Sequence, residues 1–156
     1  MTRVLIPSDR VAVVGAIKPD AHVAAAYTSG WVPAKNFARF MAIFGWGTLG
    51  AGATIAGIIQ QATDSSGTGA KAVTGAAITT ATQAVSPADD EQQAIINLNT
   101  EDLDTANGFD YIRLSMTVGV NTSDAMAILL GLDPRYGPAS DNDASTVKEI
   151  VTVGTA

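Results

Sequence analysis

The stretch Tyr111-Ile-Arg-Leu-Ser-Met-Thr-Val-Gly-Val120 alternates between apolar and polar side chains. Its even positions from Ile112 to Val118 are all apolar, whereas Arg113, Ser115 and Thr117 are polar. Successive side chains of an extended chain point to opposite faces. The pattern therefore predicts an antiparallel strand with one buried face and one face in water.

Other segments show the same period with different polarity. Residues 36–46 alternate with both faces largely apolar, and residues 54–63 are predicted as the antiparallel neighbour of that strand. Residues 18–30 are predicted as a loop, and a short helix remains an alternative to a strand at residues 125–130. Further strand-like runs occupy residues 4–6, 11–17, 71–82, 93–99 and 147–153.

Short strands separated by Gly, Pro, Asn and Asp, with no long amphipathic helix, predict an all-β fold. We expect an antiparallel β-sandwich or a jelly-roll-like barrel of about eight strands. The 156 residues suit a single domain. Within it, residues 1–30 are predicted to form N-terminal strands and an arm available for an interface, and residues 31–156 the sandwich.

The composition excludes several kinds of chemistry. The chain has no Cys, so it offers neither a disulfide nor a thiolate ligand, and its single His22 excludes sites that need two imidazoles. A net charge of −6 without a basic cluster argues against nucleic acid as a partner. Residues 1–88 carry a balance of +3 and residues 89–156 one of −9, which suggests complementary charged surfaces.

Residues 40–63 form an uncharged run of 24 residues, which is long enough to span a bilayer. The run contains five Gly and alternates, so two strands joined by a glycine-rich corner fit better than a membrane helix. The apolar run at residues 4–6 is too short for a secretory signal. We therefore expect neither a membrane span nor a leader.

Gly45-Trp-Gly47-Thr-Leu-Gly50 matches the G-x-G-x-x-G pattern of dinucleotide-binding loops. That pattern requires a helix directly after it, and the residues from Ala51 onward are rich in Gly and β-branched residues. We interpret the glycines as a sharp bend between strands and predict no cofactor.

The remaining polar residues suggest no catalytic or metal site. His22 is expected to be an exposed loop residue, and no G-x-S-x-G motif accompanies it. The acidic groups lie in polar loops, where ordinary solvated carboxylates are the default. They could hold a cation only adventitiously, and they are Asp89 with Asp90, Glu101 with Asp102 and Asp104, and Asp141 with Asp143.

Trp31 follows Ser29-Gly30 and precedes Pro33, so its place in a core is less evident than that of Phe37, Phe40, Phe44 and Trp46. Large aromatic residues are enriched at protein interfaces. The predicted interface residues are Trp31, Arg3, Arg10 and Tyr136.

Four stretches resemble small virion proteins of tailed bacteriophages that are encoded among the head genes, and the resemblance covers roughly residues 30–140. They are Ile59-Gln-Gln-Ala-Thr-Asp-Ser-Ser-Gly-Thr-Gly-Ala-Lys-Ala-Val-Thr-Gly75, Gln93-Ala-Ile-Ile-Asn-Leu98, Phe109-Asp-Tyr-Ile-Arg-Leu-Ser-Met-Thr-Val-Gly119 and Leu130-Gly-Leu-Asp-Pro-Arg-Tyr-Gly-Pro138. The likeness includes no catalytic motif, so no functional residue is carried over.

The resemblance implies a structural, non-enzymatic role as a capsid cement or decoration protein made in the host cytoplasm and located on the virion surface. Its implied partners are the major capsid protein and further copies of the chain, as a homotrimer or another symmetric oligomer. A head–tail connector or tail-associated module is the alternative. A small enzyme or ligand-binding barrel, recognised by a deep polar pocket, is a third class.

Overall fold

The computed structural model describes residues 5–85 and 88–153, and nearly all regular structure in these ranges is β. The only α-helix there is the single turn α1 (Pro7–Arg10), with short 3-10 helices at Ala34–Asn36, Thr100–Asp102, Thr105–Asn107 and Ala139–Asn142. The strands are β1 (Val11–His22), β2 (Ala25–Thr28), β3 (Val32–Pro33), β4 (Phe37–Trp46), β5 (Thr54–Ala62), β6 (Lys71–Ala77), β7 (Ala81–Thr82), β8 (Gln93–Asn99), β9 (Tyr111–Gly119) and β10 (Ser123–Pro134).

The strands form two antiparallel sheets. Sheet A has the order β1-β10-β4-β8, and sheet B has the order β2-β9-β5-β6, with β3 against β9 and β7 against β5. Among the eight longer strands, the first pairs with the last, the second with the seventh, the third with the sixth and the fourth with the fifth. This nested pairing is the topology of a jelly roll. The predicted all-β sandwich is confirmed.

The core lies between the two sheets. The alternation of β9 is confirmed: Ile112, Leu114 and Met116 are 0% exposed, and the side chains between them lie on the outer face. The predicted aromatic core of β4 is also confirmed. The largest fully buried side chains are Phe37, Phe40, Phe44, Ile55, Ile59, Ile112, Leu114, Met116, Leu129 and Val118.

The predicted pairing of residues 36–46 with residues 54–63 is wrong. β4 pairs with β10 and β8 in sheet A, whereas β5 pairs with β9, β6 and β7 in sheet B. The two strands instead face each other across the core, where a Cβ added to Gly57 would lie 2.7 Å from the Phe44 ring. Alternation shows which side chains of a strand turn inward. It does not show whether a second alternating strand lies beside the first in the same sheet or opposite it in the other sheet.

Two further boundaries differ from the sequence prediction. Residues 18–30, predicted as a loop, contain the end of β1 and all of β2. Their backbones pair with β10 and β9, and this pairing does not depend on the polarity of their side chains. Residues 147–153, predicted as a strand, pair with no strand within residues 5–85 and 88–153. The run at residues 125–130 is part of β10, so the helix alternative is wrong.

The glycine-rich motif is a bend between strands, as predicted. β4 ends at Trp46, β5 begins at Thr54, and no helix lies between them. A Cβ at Gly50 would lie 2.4 Å from the backbone oxygen of Thr122, so the loop needs glycine for close approach to the β9–β10 turn. Within the two described ranges, no helix is long and apolar enough to cross a membrane.

The Gly57–Phe44 contact predicts a difference between two strand glycines. Gly57→Ala should destabilise the fold by about 1–3 kcal/mol, because the fully buried Phe44 ring has no room to withdraw. Gly45→Ala is the control, since its nearest neighbours outside the adjacent residues lie 3.7 Å away. Urea unfolding measures both, and equal midpoints for the two variants would contradict the packing described.

Candidate interaction surface

The outward faces of the two sheets differ in polarity. The outer face of sheet B carries Thr54, Gln60, Arg113, Ser115 and Thr117, as expected for a sheet that meets water on one side. The outer face of sheet A is apolar along β10, the first half of β1 and the middle of β4, whereas β4 also carries Arg39 and β8 carries Gln93, Asn97 and Asn99 beside Ile95. We define this sheet A face by ten residues: Val11, Val13, Ala16, Met41, Ile43, Ile95, Met126, Ile128, Leu130 and Leu132.

The strand register places these side chains in continuous rows. One row crosses the whole sheet, from Ala16 through Ile128 and Ile43 to Ile95. Ile95 at the end of that row is 57% exposed, and the residues nearer the middle shield one another to half burial. Neighbouring side chains of such rows touch, so the rows form one contiguous surface.

The three strands β1, β10 and β4, about 4.8 Å apart and with about seven residues at about 3.3 Å each, give the face a footprint of roughly 330 Å². Apolar patches of this size on soluble proteins commonly mark interaction sites. The face also contains two shallow grooves. One of about 470 Å³ lies over Ile43, Gly45 and Met126, and one of about 680 Å³ lies over Val13, Ile128 and residues 145–147.

Trp31 lies outside this face, beside sheet B. Its half-buried ring carries the Arg113 guanidinium 4.4 Å from its centroid, and Arg113 Nε donates to Gln60 Oε1 at 2.8 Å. Gly67 fits under the indole, since a Cβ there would lie 2.5 Å from Trp31 Nε1. Contacts within the chain therefore account for the position of Trp31, and its interface role stays a prediction.

The other predicted interface residues lie near one end of sheet A. Arg10 precedes β1 and Tyr136 follows β10, and the register pairs Val11 with Leu132 at that end. Tyr136 is 79% exposed. Arg3 lies outside the described residues. The structure thus places Arg10 and Tyr136 at the same end of the sandwich and Trp31 on the side of the other sheet.

His22 is not the exposed loop residue that the sequence suggested. It is the last residue of β1 and is 8% exposed, with Nε2 2.9 Å from the Lys18 carbonyl oxygen and its ring 4.2 Å from that of Tyr27. Sequence reasoning missed this burial because it ended the strand at Ile17, before the bulge that carries the chain on to His22.

Several loop carboxylates hold backbone N–H groups in place. Asp90 Oδ1 accepts from Leu49 N at 2.8 Å, and Asp143 Oδ1 accepts from Val13 N at 2.8 Å. Asp89 and Asp102 act similarly on Thr82 and Asn99. Across residues 5–85 and 88–153, no three or more His, Asp or Glu side chains group together as a metal site would require.

The sequence contained a signal for the sheet A face. Residues 36–46 are apolar on both faces, and residues 126–130 are a continuous apolar run. Both features are typical of strands covered on two sides. Among the described residues, the core covers one side of these strands, and on the other side residues 145–147 cover only part of β1 and β10, so most of the second apolar face remains without a partner.

Comparison with known proteins adds little to this description. No protein-family model and no curated protein matches the sequence. A chain in the structure of infectious bursal disease virus Gx strain is similar at a TM-score of 0.35 and 11% identity over 84% of this chain. The chain spans 34% of that longer chain. We therefore take the fold from the strand pairing alone.

An ion pair between Lys71 of β6 and Asp104, in the loop after β8, shifts the pKa of Asp104. A hydrogen bond from the Lys71 ammonium, with a second from Asn107 Nδ2, lowers the pKa of Asp104 below its ordinary value of 3.8. Since the pKa is lower in the folded state, this contact stabilises the fold above the unfolded-state pKa. That contribution is lost as the pH falls through the folded-state value.

Lys71→Met should raise the pKa of Asp104 toward 3.8, because it removes the ammonium and keeps an apolar contact with the Phe109 ring. Carboxyl ¹³C NMR titration measures this pKa directly. Lys148→Met, in an exposed segment, is the control and should leave Asp104 unchanged. An Asp104 pKa that is equal in all three proteins would show that Lys71 does not cause the shift.

Proposed function

We propose that this chain is a structural protein of a virus particle and serves as a capsid cement or decoration protein of the tailed-phage type. The observation that carries the proposal is the sheet A face, a contiguous apolar surface on a jelly roll whose opposite sheet is polar. The resemblance of residues 30–140 to small phage head proteins supports the same role. Its partners are the major capsid protein and further copies of the chain.

The binding free energy that the sheet A face can supply suits a protein that attaches in many copies. Removing about 300 Å² of apolar surface from water contributes roughly 7 kcal/mol. Association itself costs about 4–15 kcal/mol, so a single face yields only modest affinity. On a capsid, linked copies can bind many equivalent sites together, and this multivalency raises the overall affinity.

In this role sheet A lies against the shell and sheet B faces the solvent. Docking across the seams between capsomers adds contacts that exist only in the assembled shell. A ligand that binds only the assembled state stabilises that state by mass action. No catalytic step is involved, and the chain's contribution is mechanical.

Apolar burial explains the docking better than the charge difference between the two halves of the sequence. β1 belongs to the positive half and β10 to the negative half, yet the two strands are neighbours in one sheet. The two halves therefore interleave and do not form separate charged surfaces. Binding that depends on apolar contact should change little between low and high salt.

Ile128→Asp should lower binding of the chain to empty capsids of the same virus by at least tenfold, because it places a charge in the middle of the sheet A face. Ile128 points outward and is half-buried, so the fold should survive, which circular dichroism checks. Thr117→Asp, exposed on the outer face of sheet B, is the matched control and should bind like the unchanged chain. Co-sedimentation with capsids measures the bound fraction.

Equal binding of the two variants would reject the sheet A face as the docking surface. The number of copies per purified particle tests the role itself. Hundreds of copies fit a protein that covers the shell, whereas about a dozen would contradict decoration and favour the head–tail connector.

A further inference from the structure

Strand β8 is an open edge of sheet A. Trp46 N donates to Gln92 O at 3.1 Å, so the even residues of this strand hydrogen-bond to β4 and the odd residues point away. The outward backbone groups of Gln93, Ile95 and Asn97 have no hydrogen-bond partner among the described residues. Such a row of free N–H and C=O groups is a template for another strand.

This edge lacks the features that usually protect an edge strand. β8 contains no Pro and no charged residue, and its register with β4 has no bulge. The opposite edge strand, β1, contains Lys18, Pro19 and Asp20 and two register shifts. A groove of about 400 Å³ also runs beside β8, lined by Ile78, Ala94 and Ile95 among others. The edge of β8 thus lacks protection and has space beside it, between this strand and residues 77–81.

The same chain carries an unpaired segment with the pattern of a strand. Residues 147–153, which we name the tail segment, alternate in sequence but pair with nothing in the described structure. Ile150, Val151 and Val153 are 49%, 77% and 92% exposed. These three apolar side chains leave water only when another surface packs against them.

The tail segment leaves the sandwich at the wrong edge to reach β8 of its own chain. Ala144 N donates to Val13 O at 2.7 Å beside β1, and Val147 lies over the groove formed by β1 and β10. A strand added beyond β8 would lie about three strand spacings, or about 14 Å, farther on. Six extended residues span about 20 Å, so the crossing would leave only about two of them to pair.

We propose that the tail segment of one copy binds as an added strand along the free edge of β8 in a second copy. Backbone hydrogen bonds to Gln93, Ile95 and Asn97 would supply affinity, and Val151 and Val153 would be covered on one face. Donor and acceptor surfaces differ, so the contact is head-to-tail and closes into a ring when the rotation allows it.

This inference does not depend on the proposed function. The added strand lies at the edge of sheet A and leaves the sheet A face uncovered, so oligomer formation and capsid binding are separate measurements. A chain that exchanges strands but ignores capsids would contradict only the decoration role. A capsid-binding monomer would contradict the strand exchange and the attachment through linked copies, but it would leave the sheet A face as the docking surface.

Because the chain has no Cys, single cysteines report the contact directly. Ile150→Cys, Val151→Cys and Thr152→Cys are made separately in a chain that carries a tag to change its size. Each variant is mixed with an untagged Asn97→Cys chain, and the mixture is oxidised. We expect a disulfide between tagged and untagged chains for at least one tail position. Tyr136→Cys, equally exposed but outside the contact, is the control and should form no such species.

Two proline variants test the hydrogen bonds. Asn97→Pro removes a donor on the free edge of β8 without removing one that bonds to β4 or changing a residue of the sheet A face. Val151→Pro removes a donor in the exposed tail segment, where the substitution does not disturb the sandwich. Sedimentation equilibrium should show an oligomer for the unchanged chain and a monomer for each variant. Monomeric behaviour of the unchanged chain at about 100 μM would overturn the proposal.

Two more outcomes decide against strand exchange. One is a disulfide that forms within a single chain carrying both Val151→Cys and Asn97→Cys, since the tail segment would then fold back onto its own β8. The other is an oligomer that persists in Val151→Pro, since the copies would then associate through another surface.

Discussion

The pairing of β1 with β10 is the constraint on which the rest of the molecule depends. It joins Val11 to Leu132 and His22 to Ser123, so residues more than a hundred positions apart lie side by side. Once the outermost strands pair, the strands inside them nest in the same way and the long hairpin rolls into two sheets. The core between the sheets is then filled by the inward side chains of β4, β5, β9 and β10.

This closure also determines what the surface offers. It brings Val13, Ile128 and Ile43 from three separate parts of the chain into one apolar face. It places β8 and β1 at opposite edges of the same sheet, so the tail segment leaves beside one edge while the other stays open. The two proposed interactions, a face for a large partner and an edge for a second copy, both follow from the strand order of sheet A.

Prediction from sequence succeeded for features set by neighbouring residues and failed for contacts between segments far apart in the chain. The alternation of β9 predicted its buried and outer faces correctly, since one face packs and the other meets water. The pairing of β4 with β5 was predicted wrongly, because backbone hydrogen bonds are the same for every residue and do not identify a partner. His22 was misplaced for a related reason, since β1 continues through Pro19 by means of a bulge.

The sequence by itself determined that the chain is all-β, where most strands lie and which side chains turn inward. It also excluded thiolate chemistry through the absence of Cys. These properties are local, because the geometry at each Cα sends successive side chains to opposite faces. Only the tertiary structure decided which strands are neighbours, that the second apolar face of β4 and β10 points outward, and which edge remains open. Strand partners are chosen by collective packing across the whole sandwich, and no short stretch of sequence contains that information.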